Sequence, residues 1–379
     1  MFDFDARTPE MLDLLKKLVE TESPSSDKAA VDRVGALVAE ECRRLCAAVE
    51  MVPNLVTGDH VVARFGPQTN PSRGTKRDGI LLMHHMDTVF PLGTLASMPF
   101  YSKDEKTFGP GVLDMKGGIV ISLTALAALQ AAGQLTRPVT LLVTSDEEIG
   151  SDSSHELIVE LAKEAALVLV MESGLLDGSL KTWRKGVGDF FVKVKGRAAH
   201  AGGAHEEGRN AIEEMAHQVL AIQKMTDYAK GTTLNVGVIH GGTVANVVPD
   251  FAEAVVDFRV LVPEEAGRVS AAMQALAPVT PGTTLEVSGG LNRPPMPNDD
   301  LMKTTFEKAR QIAAEIGLEI KAGGSGGGSD GNFVAPLGVP LLDGMGTYGE
   351  GLHSEREYIF TRSLPERAAL TAALIQKWS

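Results

Sequence analysis

Acidic and imidazole side chains recur where short apolar runs of this chain end. GILLMHHMD delivers His85 and Asp87, TLLVTSDEE ends in Asp146, Glu147 and Glu148, and VLVMES ends in Glu172. Asp114 stands in the glycine-rich FGPGVLDMKGG, and His353 follows the glycine-rich turn of GTYGEGLHSEREY. Carboxylates gathered like this repel one another unless cations neutralise them, so divalent-metal binding is the economical reading. Alternation along a strand puts His85 and Asp87 on one face. One can bind metal while the other steadies it, because a metal-bound imidazole usually donates its second N–H to a carboxylate. Adjacent Glu147 and Glu148 point in different directions from an extended backbone, so one can bind metal while the other faces substrate as a proton shuttle. Two divalent cations carry about +4; Asp114, Glu148, Glu172 and a bridging hydroxide carry about −4, with two neutral imidazoles, and this balance favours two ions over one. Each motif alone also has a plain alternative: a satisfied polar histidine, an N-cap aspartate, a solvated acidic turn.

The elements that position these residues are legible in the apolar pattern. Helical periodicity covers Pro9 to Val19 and Asp27 to Val49, and VVARF, GILLMHH, PVTLLVTS and ALVLVMES read as short apolar strands, with KGGIVISLTALAALQAAG a buried helix between them. Near-continuous Val/Leu/Ile strands separated by helices indicate an α/β fold whose mostly parallel sheet is covered by helices. Ligands of such sheets sit beyond the carboxyl ends of the strands, where the acids lie. From about Lys181 the rhythm becomes β-α-β-β-α-β, running from GVGDFFVKVKG to TTLEVSG, the pattern of a small two-layer domain. After Arg293-Pro294-Pro295 the first pattern resumes. A discontinuous catalytic domain, 1–180 and 293–379, with 181–292 inserted is therefore expected.

Composition narrows the partners. The 379 residues are 44% hydrophobic and carry a net charge of −13, a balance that would repel phosphate backbones and anionic lipid surfaces, so neither nucleic acid nor membrane is an expected partner. Charged or turn residues interrupt every long apolar run. Cys42 and Cys46 are the only cysteines, which excludes a disulfide framework. The opening MFDFDARTPEM lacks a basic head followed by an apolar stretch, so the chain as given reads as cytoplasmic, or as periplasmic or secreted if a signal peptide has been removed.

Taken together, HMDTVF, GPGVLDMKGG, TSDEEIGS, MESG and GLHSEREY resemble the zinc-dependent family of acetylornithine deacetylase, succinyl-diaminopimelate desuccinylase, aminoacylases and carboxypeptidase G, through the segment RKGVGDFFVKVKGRAAHAGGAHEEGRNAIEE most of all its glutamate carboxypeptidase branch. The resemblance implies the co-catalytic zinc exopeptidase fold and two Zn2+ per subunit, with Co2+ or Mn2+ as alternatives. It makes His85, Asp114 and Glu172 the ligands of one ion and Asp114, Glu148 and His353 those of the other, with Asp114 bridging. It makes Glu147 the general base and Asp87 the group that orients His85, and it implies a cis Asp114–Met115 peptide. The inserted domain resembles the family's lid and dimerisation domain, so a homodimer is expected through it. His200 in GRAAHAG is then the candidate that reaches the neighbouring subunit's site and polarises the scissile carbonyl. Asn246, Arg259, Ser329 and Arg184 become candidate substrate contacts, Arg259 because its planar fork suits a carboxylate. Arg259 could equally pair with an acid of its own domain, and Arg184 and Lys185 could be solvated hinge charges.

The function implied is a dizinc metallopeptidase that hydrolyses the amide bond to a C-terminal amino acid, glutamate preferred, of a peptide or N-acyl, folate-like conjugate, by metal-bound hydroxide with Glu147 as base. An N-acyl-amino-acid deacylase or a dipeptidase would use the same site. GGGSDG also satisfies the G-x-S-x-G of serine hydrolases at Ser329, but Pro336 and Gly338 interrupt the helix a nucleophile elbow needs, and that reading leaves the acids unexplained. G-x-G-x-x-G at Gly326 to Gly331 lacks the long helix and the later acid of a dinucleotide site.

Overall fold

The computed structural model describes residues 2–67 and 78–379; Met1, the first residue of MFDFDARTPEM, and residues 68–77 of the first domain segment lie outside them. The chain divides into two compact units. The first comprises Met1–Trp183, Asn298–Gly324 and Ser329–Ser379, the second Arg184–Pro297 and Ser325–Gly328. The second unit thus starts three residues later than the expected 181 and ends five later than 292, and it includes a four-residue piece of the glycine-rich turn. Hydrogen bonds explain that piece: Lys185 N–H donates to the Ser325 carbonyl, and the Arg184 guanidinium donates to the carbonyls of Gly327 and Gly328.

An eight-stranded sheet organises the first unit. Its centre is parallel, as the unbroken apolar runs predict: Gly79–His85 pairs in parallel with Val139–Thr144 on one side and Ala165–Val170 on the other, and Leu341–Asp343 runs parallel to Ala165–Val170. The strands His60–Phe65 and Leu180–Arg184 join it antiparallel. One expected helix is shorter than its periodicity suggests. Asp27 caps it by accepting the Ala30 N–H, but the helix spans Lys28–Arg44, and Ala48–Val52 forms an edge strand against His60–Phe65. Cys46 adopts a positive φ of 56° at the turn between them. Both cysteines are free thiols, Cys42 buried and Cys46 exposed.

Helices Thr8–Glu20, Gly117–Ala131 and Ser363–Lys377 supply buried side chains to the core around this sheet. Val112–Ala131 is long and apolar enough to cross a membrane, but 83% of its apolar window is buried inside the protein, as suits a core helix.

The second unit carries a four-stranded antiparallel sheet, ordered Thr233–Gly241, Phe251–Val260, Gly186–Lys195, Thr284–Arg293. With helices Ala211–Gln223 and Pro263–Gln274 it follows the β-α-β-β-α-β order. Alternate residues of Gly186–Lys195 are buried, and Phe190 packs against Phe258 with ring centroids 4.9 Å apart in that unit's own core.

Candidate active site

Strand register brings the acids together. His85 pairs with Thr144 and Met83 with Val170, so three parallel strands end nearly level and the residues just beyond them meet. Alternation sends the two adjacent histidines to opposite faces. His84 turns to Ser122 and the Leu142 carbonyl, and burial pushes its pKa down to about 4, so it is a neutral packing residue. His85 turns to the acids.

Asp114 arrives on an irregular turn, Val112–Lys116, whose Asp114–Met115 peptide is cis as expected. The helix that follows starts with Gly117 and Gly118, and a Cβ on Gly118 would stand 2.2 Å from the Met171 carbonyl oxygen. Only glycine lets this helix approach the strand end that presents Glu172 so closely.

Two sets of side chains share Asp114. His85 Nε2 lies 3.1 Å from Asp114 Oδ1 and 3.3 Å from Glu172 Oε1. His353 Nε2 lies 3.1 Å from Asp114 Oδ2 and 3.4 Å from Glu148 Oε2. The two oxygens of one carboxylate thus face different imidazoles. Glu147 lies beside them, with His85, Glu147 and Glu172 offering ligand atoms within 4.8 Å of one another, as do His85, Asp114 and Glu148.

The electrostatics are those of carboxylates held for positive charge. Burial alone would lower the His85 pKa, but Asp114, Asp87 and Glu172 raise it well above the ordinary imidazole value. Asp114 and then Glu148 push His353 up to about 10. Burial raises the Asp114 carboxyl, yet His353 and His85 outweigh it and hold it well below the usual range. Glu148 is raised by burial, with His353 opposing and Asp114 adding.

Asp87 is fully buried and ties the site together. Its carboxylate accepts from Ser25 Oγ at 2.7 Å and from the backbone N–H groups of Glu147 and Glu148 at 3.3 and 3.2 Å. His85 Nδ1 stands 3.4 Å from that carboxylate and 3.0 Å from Asp87's own backbone carbonyl, so side chain and main chain together orient the ring. Ser25 has no signal in the sequence beyond a polar turn after the first helix. Its neighbours Ser23 and Pro24 lace onto Met86 and Thr88 across more than 60 positions.

The donor set fits a pair of divalent ions. Two donors each ~2.0–2.2 Å from one tetrahedral ion stand about 3.3–3.6 Å apart, close to the imidazole–carboxylate separations within each set. Imidazole and carboxylate ligands suit zinc, and cobalt or manganese as well.

The remaining predicted residues have different surroundings. Ser329, in the first unit, is fully buried, and its hydroxyl donates to Asp343 at 2.7 Å. In the second unit Arg184 is likewise buried, and its guanidinium donates to the carbonyls of Gly327 and Gly328. Arg259 grips Asp257, two residues earlier on its own strand, through Nε and Nη2 at 2.7–3.1 Å, the alternative pairing the sequence allowed. His200 is exposed, and its Nδ1 accepts from the N–H groups of Gly202 and Gly203 at 3.1 and 3.0 Å. With Nδ1 accepting from these two N–H groups, the ring N–H is the one at Nε2. The Asn246 carbonyl accepts the Ala201 N–H and anchors the same turn, with the Asn246 side chain exposed.

The profile of peptidase family M20/M25/M40 matches residues 81–377, which include every member of the two Asp114-sharing sets. The chain belongs to this family. It is a hydrolase of the metallopeptidase type. Among the relatives of this family member is carboxypeptidase G2 of Pseudomonas sp. (strain RS-16), 32% identical over 97% of this chain and 89% of that protein. Solved structures of similar fold include the aminopeptidase PepT of Bacillus cereus, with a TM-score of 0.77 at 23% identity over 97% and 98% of the two chains. Another is a Bacillus subtilis protein described as a dinuclear metal binding peptidase from the M20 family, with a TM-score of 0.70 at 17% identity over 98% of each.

Proposed function

We propose that the protein hydrolyses the amide bond to a C-terminal amino acid, glutamate preferred, of a peptide or N-acyl conjugate, using two zinc ions held by His85, Asp114 and Glu172 and by Asp114, Glu148 and His353. The observation that carries the reading is the division of Asp114: each of its oxygens stands 3.1 Å from a different imidazole, and each imidazole faces a further glutamate. A single ion would leave carboxylates buried without compensation. When bound, such ions lower the pKa of water and stabilise negative charge on a carbonyl oxygen.

The chain's own residues do the rest. Glu147, beside the two sets yet not needed to complete either, takes a proton from the attacking water and returns it to the leaving nitrogen. Asp87 holds the turn that presents Glu147 and Glu148. His200, with its Nε2 proton fixed by two backbone donors, serves as hydrogen-bond donor to the scissile carbonyl of a neighbouring subunit. Dimerisation through the second unit belongs to the same proposal and is supported by exposed Val238 and Ile239 on its edge strand and by Ile212 and Leu220 on its helix. The glutamate preference rests on the likeness of the inserted segment to glutamate carboxypeptidases.

The test is amino-acid release by zinc-loaded protein from matched N-acyl and dipeptide substrates ending in glutamate, aspartate, arginine or leucine. Glutamate release at the highest kcat/KM supports the proposal. Preferred cleavage of small N-acetyl amino acids, whatever their side chain, would favour the deacylase reading, and release from none of them would overturn both.

A further inference from the structure

Glu357 lies four residues after His353. Its carboxylate is fully buried, and three of its partners are backbone amides of the turn that carries Asp114, more than 240 positions earlier in the chain. Oε2 accepts from Gly111 N–H at 3.0 Å, and Oε1 accepts from Leu113 and Asp114 N–H at 2.7 and 3.1 Å. A buried carboxylate is tolerated where such donors surround it. The turn needs such an acceptor, because Asp114 and Met115 have non-helical dihedrals (φ −123°, ψ 93° and φ −133°, ψ 35°) inside an otherwise helical entry.

The other end of the turn is fixed independently. Lys116 is fully buried, and its ammonium donates at 2.9 Å to the carbonyls of Leu18 and Thr21, at the C-terminal end of helix Thr8–Glu20. A cation suits that helix end. On the opposite side, Ser354 N–H donates to the Gly351 carbonyl and Glu357 N–H to the Ser354 carbonyl, so two successive turns link His353, inside the first, to Glu357 at the end of the second. One short segment therefore provides both a partner of Asp114 and the clamp on Asp114's own backbone.

We infer that Glu357 is a positioning residue that sets where the Asp114 carboxylate stands relative to His353, and thereby the shape of the two-ion site. This rests on the two-ion reading of the site. The residue acts through hydrogen bonds from three backbone N–H groups of the turn that carries Asp114.

Glu357→Gln tests the inference, since it keeps one acceptor oxygen and turns an NH2 group toward one or more of the amides. Glu357→Asp retains the charge but falls one methylene short, and serves where the glutamine variant does not fold. Zinc affinity and stoichiometry would be read by competition with a chromophoric chelator, site geometry by the visible spectrum of the Co2+-loaded protein, and folding by circular dichroism of the metal-free protein. Partners that orient ligands typically change metal affinity or activity ~10–100-fold when altered. The expected result is a folded metal-free protein that loses affinity for one ion by at least about tenfold, with an altered Co2+ spectrum and a fall in kcat at little-changed KM. Two ions bound with parental affinity and spectrum in a folded variant would overturn the positioning role. A parent protein that binds fewer than two ions would overturn the two-ion reading itself, and this inference with it.

Discussion

Replacing Asp87 by asparagine should damage the site through the Glu147–Glu148 turn more than through His85. The Asp87 carboxylate receives three donors, Ser25 Oγ–H and the N–H groups of Glu147 and Glu148. Asparagine offers one acceptor oxygen and an NH2 group in the same volume. If its oxygen keeps Ser25 and Glu148, the NH2 group faces Glu147 N–H; if the amide is reversed, it faces Glu148 N–H, because only the serine hydroxyl can turn to accept. Either way one backbone donor at a buried position is left without its acceptor, at a cost of ~1–3 kcal/mol. His85 is partly spared, because its Nδ1 also faces the Asp87 backbone carbonyl at 3.0 Å, which the substitution leaves in place. The expected outcome is a urea midpoint lowered at unchanged m, and a kcat on the zinc-loaded protein lowered by ~10–100-fold. Zinc affinity should fall by a smaller factor than kcat. A variant with the parental urea midpoint and kcat within twofold would refute the claim that this carboxylate organises the turn.

Glu147→Ala should retain both ions by chelator competition yet lose at least ~10²-fold in kcat, the lower range for acid–base catalysis; equal turnover would remove Glu147 as base. Asp114→Ala should bind neither ion well, because each set loses its shared member, and metal analysis after desalting would show this. Chelation of the parent should abolish activity and zinc should restore it, whereas labelling of Ser329 by a fluorophosphonate would contradict the buried position of its hydroxyl. In the second unit the Glu265 carboxyl is held down at about 2, chiefly by Arg268, with burial opposing and with Thr232 and Lys230 assisting. A carboxyl depressed on folding adds stability above its unfolded value of ~4.3–4.5, and that stability is lost as pH falls toward 2. Glu265→Gln should therefore flatten the fall in stability between pH 5 and 2, as measured by denaturant titration at each pH.

Much of the site was legible because parallel strands that end level deliver the residues after them to one place. His85, Glu147, Glu148 and Glu172 need only that rule, and the unbroken apolar runs before them announce the strands. The inserted unit was legible for the same kind of reason, since its alternation of buried and exposed residues has the period of a half-covered sheet. The helix expected to reach Val49 failed at the point where periodicity is ambiguous: AVEMV fits either a last helical turn or a strand, and only pairing with His60–Phe65 decides it.

The residues that hold the site in shape were hidden for a different reason. Ser25, Asp87's second role and Glu357 all act by bonding backbone or carboxylate groups 60 or more positions away. Nothing in local spacing records such a partner. The same holds for Arg184 and Ser329, whose glycine-carbonyl and Asp343 partners have no signal in local spacing. His85 and Glu172 are legible because they stand at the ends of strands of known register, whereas Asp114 and His353 sit on irregular turns marked in the sequence only by their glycines. The atoms that fix their angles are drawn from whatever turn passes nearby, so they emerge only when each buried donor near the site is followed to its acceptor.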